Sequence, residues 1–323
     1  MRFGILLPHF SSESTHERLF GFSHRLEEIG YDSVWVRDNL GFEPHGFELP
    51  GSRFVDPFIT LAAVAARTER IGLGTAVLTP FRHPAVTAQL VGSLTYLAGD
   101  RVELGVGPGT PRRPWELVGI PFEKRIRLCR EMVEVIRGVA GSDRFTYDGE
   151  ITRLADFHLD PAPSRNLTVW YGGASNTAIR AISEYADGLL PGRCPFRRYD
   201  VATARLRESM GEVGRAPRLG SIPTVSIAAT REEALAKLPV EALLHTATER
   251  WKQPFETFDD LAGAVVAGAP QDIIEQLQGF ADRGIELLVV DLRLQMGEFA
   301  EAAERFAAEV MPAFAARAGG SAA

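Results

Sequence analysis

Eight short runs of β-branched and apolar residues recur along the chain, and a segment of helical periodicity follows each of them. The runs are residues 3–7, 33–36, 71–77, 102–106, 168–171, 188–190, 222–228 and 286–292; the helical segments are 17–29, 57–67, 84–97, 123–137, 176–185, 197–213, 232–237 with further helical sequence beyond it, 271–282 and, after the eighth run, 298–316. Eight strands, each returned by a crossover helix, predict an α/β fold of the (β/α)₈ barrel type. A doubly wound sheet would want a Gly-x-Gly-x-x-Gly turn after the first strand, and none is present. The expectation is one barrel domain over residues 1–323, with a frayed Ala/Gly/Ser-rich tail at 315–323. Two segments exceed a minimal barrel: 146–159, which has hairpin character and precedes the fifth strand, and 238–268, a long insertion before the last helix–strand unit. Segments of that length tend to be lids or binding loops.

Charge and composition narrow the partner. The net charge is −7 and no block of Lys or Arg occurs, which argues against nucleic acid or an anionic membrane surface. The opening MRFGILLPHF lacks the charged and long apolar regions of a signal peptide, and no run reaches the 18 or so apolar residues of a membrane span. A cytoplasmic protein acting on a small molecule is expected, with a homodimer as its assembly. Cys129 and Cys194 match no metal spacing, so no metal is expected.

In a barrel enzyme the chemistry sits at the C-terminal ends of the strands. His9 follows the first strand, Asp38-Asn39 the second, Gly107-Pro108-Gly109-Thr110 the fourth, and Gly172-Gly173-Ala174-Ser175 the fifth, where it opens a helix. A helix N-terminus with adjacent glycines can receive a phosphate, and it can equally be a tight turn with a Ser or Asn cap. Asp38 can be a structural residue capping its own loop or an ionisable one. His83, between Arg82 and a helix-starting Pro84, reads as a structural hydrogen-bonding residue. The third run is the odd one: Gly72 and Gly74 interrupt an apolar strand, and glycines there mark a bulge or a close approach of another group.

Together these segments resemble the luciferase-like monooxygenase superfamily, and within it the coenzyme F420-dependent branch. FGILLP resembles the family's first strand, GYDSVWVRDN its GxDSxWxxDH, FVDPFITLAAVAARTERIGLGTAVLTPFRHPAVTAQ its third-strand block, GDRVELGVGPG its GRxxLGxGxG, and VWYGGAS with ADGLLP its phosphate loop and sixth strand. The resemblance implies a third-strand bulge at Thr75, Ala76 and Val77, with Ala76-Val77 as a cis peptide that backs the cofactor ring, and Gly72 and Gly74 making room. It further implies that Gly107 and Gly109 line the ring's edge, and that Gly172, Gly173, Ala174 and Ser175 meet the cofactor's phosphate-bearing tail.

One departure from the family pattern bears on the reaction. Relatives carry His after Asp at the second strand tip, where family dehydrogenases link it to proton abstraction from an alcohol; this chain has Asn39, and an amide cannot act as a base near neutral pH. The acid that some relatives carry after the fourth strand's Gly-x-Gly is Thr110 here. The resemblance therefore implies an F420-dependent oxidoreductase that reduces an activated C=C or C=N bond, with His9, Thr110, Asp38 or water as proton donor. The alternatives are an FMN-dependent monooxygenase on the same scaffold and a flavin- or deazaflavin-binding protein without catalysis.

Overall fold

Helix starts and stops fall where local chemistry puts them. Asp56 accepts hydrogen bonds from the Phe58 and Ile59 amides and caps the helix Pro57–Ala65, whose first residue is Pro. The His83 ring accepts from the Ala85 amide (3.2 Å) and caps Pro84–Ala98, so this histidine is structural. Gly30 and Gly284 end their helices at φ of +94° and +75°.

The computed structural model describes residues 1–44, 46–211 and 214–315. Twelve strands occur among them: β1 Arg2–Leu6, β2 Ser33–Val36, β3 Gly72–Thr75, β4 Val102–Val106, β5 Phe145–Asp148, β6 Arg153–Phe157, β7 Thr168–Tyr171, β8 Gly188–Leu189, β9 Arg218–Ser221, β10 Thr224–Ile227, β11 Val265–Gly268 and β12 Leu287–Val290. Eight of them close a parallel barrel in the order β1-β12-β9-β8-β7-β4-β3-β2. β5 and β6 form the antiparallel hairpin expected before the fifth barrel strand. The ends of two predicted helices, 212–213 and 316, and all of the tail but Ala315 lie outside the described residues.

The seventh strand departs from expectation. The apolar run 222–228 is not the barrel strand: the barrel uses Arg218–Ser221, and β10 leaves it to pair with β11 of the insertion in a separate two-stranded parallel sheet. Pro223 sits at the changeover, and beyond it the Thr224 and Val225 amides turn to Ala264 O (3.0 Å) and Asp291 O (2.9 Å). A four-residue strand containing Arg and Gly carries too little apolar signal to outcompete the run beside it.

Inside the barrel, residues at every second position point inward. Trp35 and Trp170 fill that space, both wholly buried. A Cβ at Gly74 would fall 2.4 Å from the Trp35 ring, one at Gly4 2.5 Å from Trp35 Nε1, and one at Gly188 2.8 Å from Trp170. Gly72 likewise faces Ser33 at 3.1 Å. The third-strand glycines thus make room for side chains of the neighbouring strand β2, which corrects the expectation that they make room for a cofactor. The floor is tied by Trp170 Nε1 donating to Glu103 Oε2 (2.7 Å), with Arg2 on the same carboxylate. Cys129 and Cys194 are buried and unpaired, and burial pushes both thiols up to about 12.

Candidate active site

At the end of β3 the ladder to β4 slips. Gly74 is level with Glu103 and Leu78 with Val106, so four steps on one strand match three on the other. The extra residue is the bulge, and the Ala76-Val77 peptide within it is cis. Thr75 Oγ1 (2.8 Å) and the Leu78 amide (2.7 Å) both donate to Gly105 O, which clamps the bulge on either side. Thr75 is buried by that role, whereas Ala76 and Val77 keep partial exposure at the barrel mouth.

The glycines of the neighbouring tips serve this bulge. A Cβ at Gly107 would stand 2.8 Å from Val77 Cγ2, and one at Gly172 2.7 Å from Val77 Cγ1, so the valine side chain rests between two strands that carry none. Gly109, at φ +66°, faces Thr79 at 3.0 Å, and Thr110 beside it is exposed. Gly173 differs: its φ is +113° and an added Cβ would meet nothing within 4 Å, so it borders open space. Ala174 is half-buried behind it, and Ser175 caps the helix Asn176–Glu184 through the Ala178 amide (3.4 Å). Gly192, past β8, also borders open space.

On the other side of the mouth the tips are occupied. His9 is wholly buried between Phe10 and Phe54; its Nδ1 lies 3.0 Å from Val55 O and its Nε2 accepts the Arg37 amide at 2.9 Å. Both bonds fit only the neutral ring with the proton on Nδ1. Burial pushes this imidazole down to about 3, against the pull of the Val55 carbonyl. Neither ring nitrogen is free to give a proton to a ligand, which moves His9 from proton donor to loop support.

Asp38 is likewise engaged. Its two carboxylate oxygens accept from Arg82 Nη1 (2.9 Å) and Nη2 (3.2 Å), and one also from the Thr79 amide (3.0 Å); Arg82 reaches on to Asp56 at 2.7 Å. Burial raises the Asp38 carboxyl above the ordinary range and the Arg82 guanidinium opposes that rise. The arrangement locks the loop after β2 to the loop after β3. Asn39, half-buried, lines a cavity of about 460 Å³ between those loops, together with Asp38, Phe42, Phe54, Phe81 and Arg82.

Four charged residues to which motif reading gave no role complete this side, Arg37 among them although it lies within GYDSVWVRDN. Arg37 Nη1 lies 2.9 Å from Glu48 Oε1, Arg293 Nη1 3.1 Å from the same oxygen, and Arg293 Nε 2.6 Å from Asp291 Oδ2. The signal was present as alternation: Trp35 leads to Arg37, and Val289 to Asp291 and Arg293, all at inward positions just past the strand ends. Among the described residues no group of three or more His, Cys, Asp or Glu could hold a metal ion, and no helix is long and apolar enough to cross a membrane.

The class is that of eight-stranded parallel barrels with a bulged third strand, glycine-lined tips and a capped helix N-terminus. The luciferase-like monooxygenase family profile matches residues 1–287, and the chain belongs to that family. An F420-dependent glucose-6-phosphate dehydrogenase of Nakamurella multipartita is 30% identical over 287 residues, 81% of this chain and 83% of its own. Among solved structures, a monooxygenase from Streptomyces bottropensis superposes with a TM-score of 0.80 at 21% identity, over 98% of this chain and 100% of its own. The oxygenating constituent of 3,6-diketocamphane monooxygenase from Pseudomonas putida, in complex with FMN, reaches 0.72 at 17%, over 97% and 98%.

Proposed function

We propose that this protein is an F420-dependent oxidoreductase that transfers hydride between the deazaflavin and a small organic substrate, in the reductive direction toward an activated C=C or C=N bond. The observation that carries the direction is the state of the polar groups at the mouth. Asn39 is an amide, His9 has both ring nitrogens engaged, and Asp38 is held by Arg82. None of the three can take a proton from an alcohol near neutral pH.

The residues fit such a cofactor. Gly173 and Gly192 border open space, and the Ala76-Val77 bulge is half-exposed beside them. Ala76 and Val77 would back the ring, Thr75 would fix that backbone, Gly107 and Gly109 would lie at the ring's edge, and Gly172, Gly173, Ala174 and Ser175 would take the phosphate at a helix N-terminus. When bound, the deazaflavin supplies the hydride. The chain's own part is orientation: Thr75 and Gly105 hold the bulge, Arg82 holds two loops together, and the Asn39 amide can hold a substrate carbonyl or imine by a hydrogen bond. Thr110, exposed at the rim, and solvent are the proton sources.

An FMN-dependent monooxygenase is the second reading, favoured by the FMN complex among the structural neighbours. Fluorescence titration with F420 and with FMN separates the two: F420 binding at least tenfold tighter is expected. A protein that binds F420 and turns over no alkene or imine would be the non-catalytic binder. Ile59, Val86, Tyr96 and Leu97 stand exposed on the adjoining helices Pro57–Ala65 and Pro84–Ala98, which supports a homodimer closed through that face. Light scattering on the eluted protein tests it.

A further inference from the structure

The cavity between the loops after β2 and β3 has walls of two kinds. Phe42, Phe54 and Phe81 reach it from three segments of the chain, and further rings back them: the Phe42 and Phe54 centroids lie 5.3 Å apart, and Phe81 lies 5.1 Å from the wholly buried Trp115. Phe42 is buried, whereas Phe54 and Phe81 keep partial exposure and so can meet a ligand. Ala76 of the bulge packs against the cluster that holds Phe42 and Phe54, so the cavity adjoins the bulge through those rings. The charged residues of the lining answer one another. Arg82 bonds both Asp38 and Asp56, and Asp56 also caps the helix Pro57–Ala65, whose N-terminus carries about half a positive charge. Two further cations stand close by and are engaged elsewhere: Arg37, 5.6 Å from the Phe42 ring centroid, with Glu48, and Arg53 with the carbonyls of Ser12 and Ser14. None of these cations is left for an anionic group. Asn39 differs from the other half-buried polar residues of the lining, because among the described residues its side chain has no hydrogen-bond partner.

Resting on the oxidoreductase reading above, we propose that this cavity seats an uncharged, planar, fused-ring substrate, its rings against Phe54 and Phe81 and its carbonyl or imine on the Asn39 amide. A volume of about 460 Å³ lies in the range that buries a small ligand, and ring faces favour a flat π system by offset stacking. A carboxylate or phosphate would lose its hydration beside Asp38 and Asp56 and find no free donor there but one amide. Phe81, just past the bulge and backed by Trp115, is the specificity-determining residue.

The test is calorimetric titration of the purified full chain with three carbonyl-conjugated alkenes: coumarin, coumarin carboxylate and cyclohexenone. Saturable binding of coumarin is expected, with the carboxylate and the single-ring cyclohexenone each weaker by about tenfold or more. Phe81→Leu keeps an apolar side chain and removes the ring, so it should weaken coumarin about fivefold and leave cyclohexenone within about twofold. Phe54→Leu should act in the same direction. Absence of saturable coumarin binding overturns the proposal, as does a carboxylate bound as tightly as coumarin, or a fused-ring preference undiminished in both leucine variants. Turnover with reduced F420 separates this proposal from the reading beneath it. Cyclohexenone reduced as efficiently as coumarin would uphold hydride transfer and overturn the fused-ring seat. Coumarin bound as expected, with no alkene or imine reduced, would uphold the seat and count against hydride transfer.

Discussion

The two sides of the barrel mouth are built by opposite means. Around β3, β4, β7 and β8 the space is made by leaving side chains out: Gly107 and Gly172 admit Val77, and Gly173 and Gly192 admit nothing of the protein at all. Past the ends of β1, β2 and β12 stand charged and aromatic groups already bonded to one another, as His9 is to Val55 and Arg37, and Arg293 to Glu48 and Asp291. The first side leaves its backbone open beside the bulge, which is what the proposed binding of a large planar ligand needs. The second is fixed before any ligand arrives, which suits the task of positioning.

The largest effect is expected where the fixed side is broken at its buried ion pair. Asp38→Asn keeps the hydrogen bond from the Thr79 amide and removes the charge that Arg82 grips, leaving Arg82 with Asp56 alone. Loss of a buried partner costs about 3 kcal/mol, so urea unfolding should show a drop of that order. A loss below about 1 kcal/mol would mean the pair is not what joins the two loops. On the open side, Gly173→Asp should weaken F420 binding roughly a hundredfold if the proposed phosphate site is there, since it sets a carboxylate at that helix N-terminus. Gly173→Ala shares the strain of a Cβ at φ +113° and lacks the charge, so the difference between the two variants isolates electrostatics. Equal affinities in both would remove the phosphate from this loop.

A pH series sharpens the comparison further. His9 titrates near 3 in the folded chain against about 6.5 in an unfolded one, so the unfolded state takes up a proton first as the solution is acidified. The stability His9 contributes is whole above about pH 6.5 and falls on the way down to about pH 3. Between pH 6.5 and 5 the loss should be about 1.6 kcal/mol, and His9→Gln should remove that part of the slope. Parallel pH profiles for the two proteins would show that His9 is open to solvent.

Elements whose signal is local were legible in the sequence. The strand order, the hairpin before the fifth barrel strand and the bulge at Thr75 to Val77 each depend on residues close in the chain or on a family pattern that spans them. What escaped depends on distant partners. Gly74 is dictated by Trp35, and Arg82 acts through Asp38, 44 residues away. Arg37 meets Arg293 only through Glu48, whose carboxylate lies 245 residues from Arg293. The seventh barrel strand was misplaced because an apolar run outweighed a shorter polar one, although Pro223 marked the point where the chain changes partners.

The smallest expected effect carries the central claim, that the mouth lacks a base and therefore works reductively. A panel of secondary alcohols with oxidised F420, and of activated alkenes and imines with reduced F420, should be run on the native chain and on Asn39→His. The native protein should reduce at least one alkene or imine and oxidise no alcohol measurably, while Asn39→His, with an imidazole of pKa about 6.5, should gain slow alcohol oxidation, within about tenfold of the detection limit. Efficient alcohol oxidation by the native protein would contradict the account, because a base would then be acting where Asn39 is an amide, both nitrogens of His9 are bonded, and Asp38 and Asp56 are both paired with Arg82.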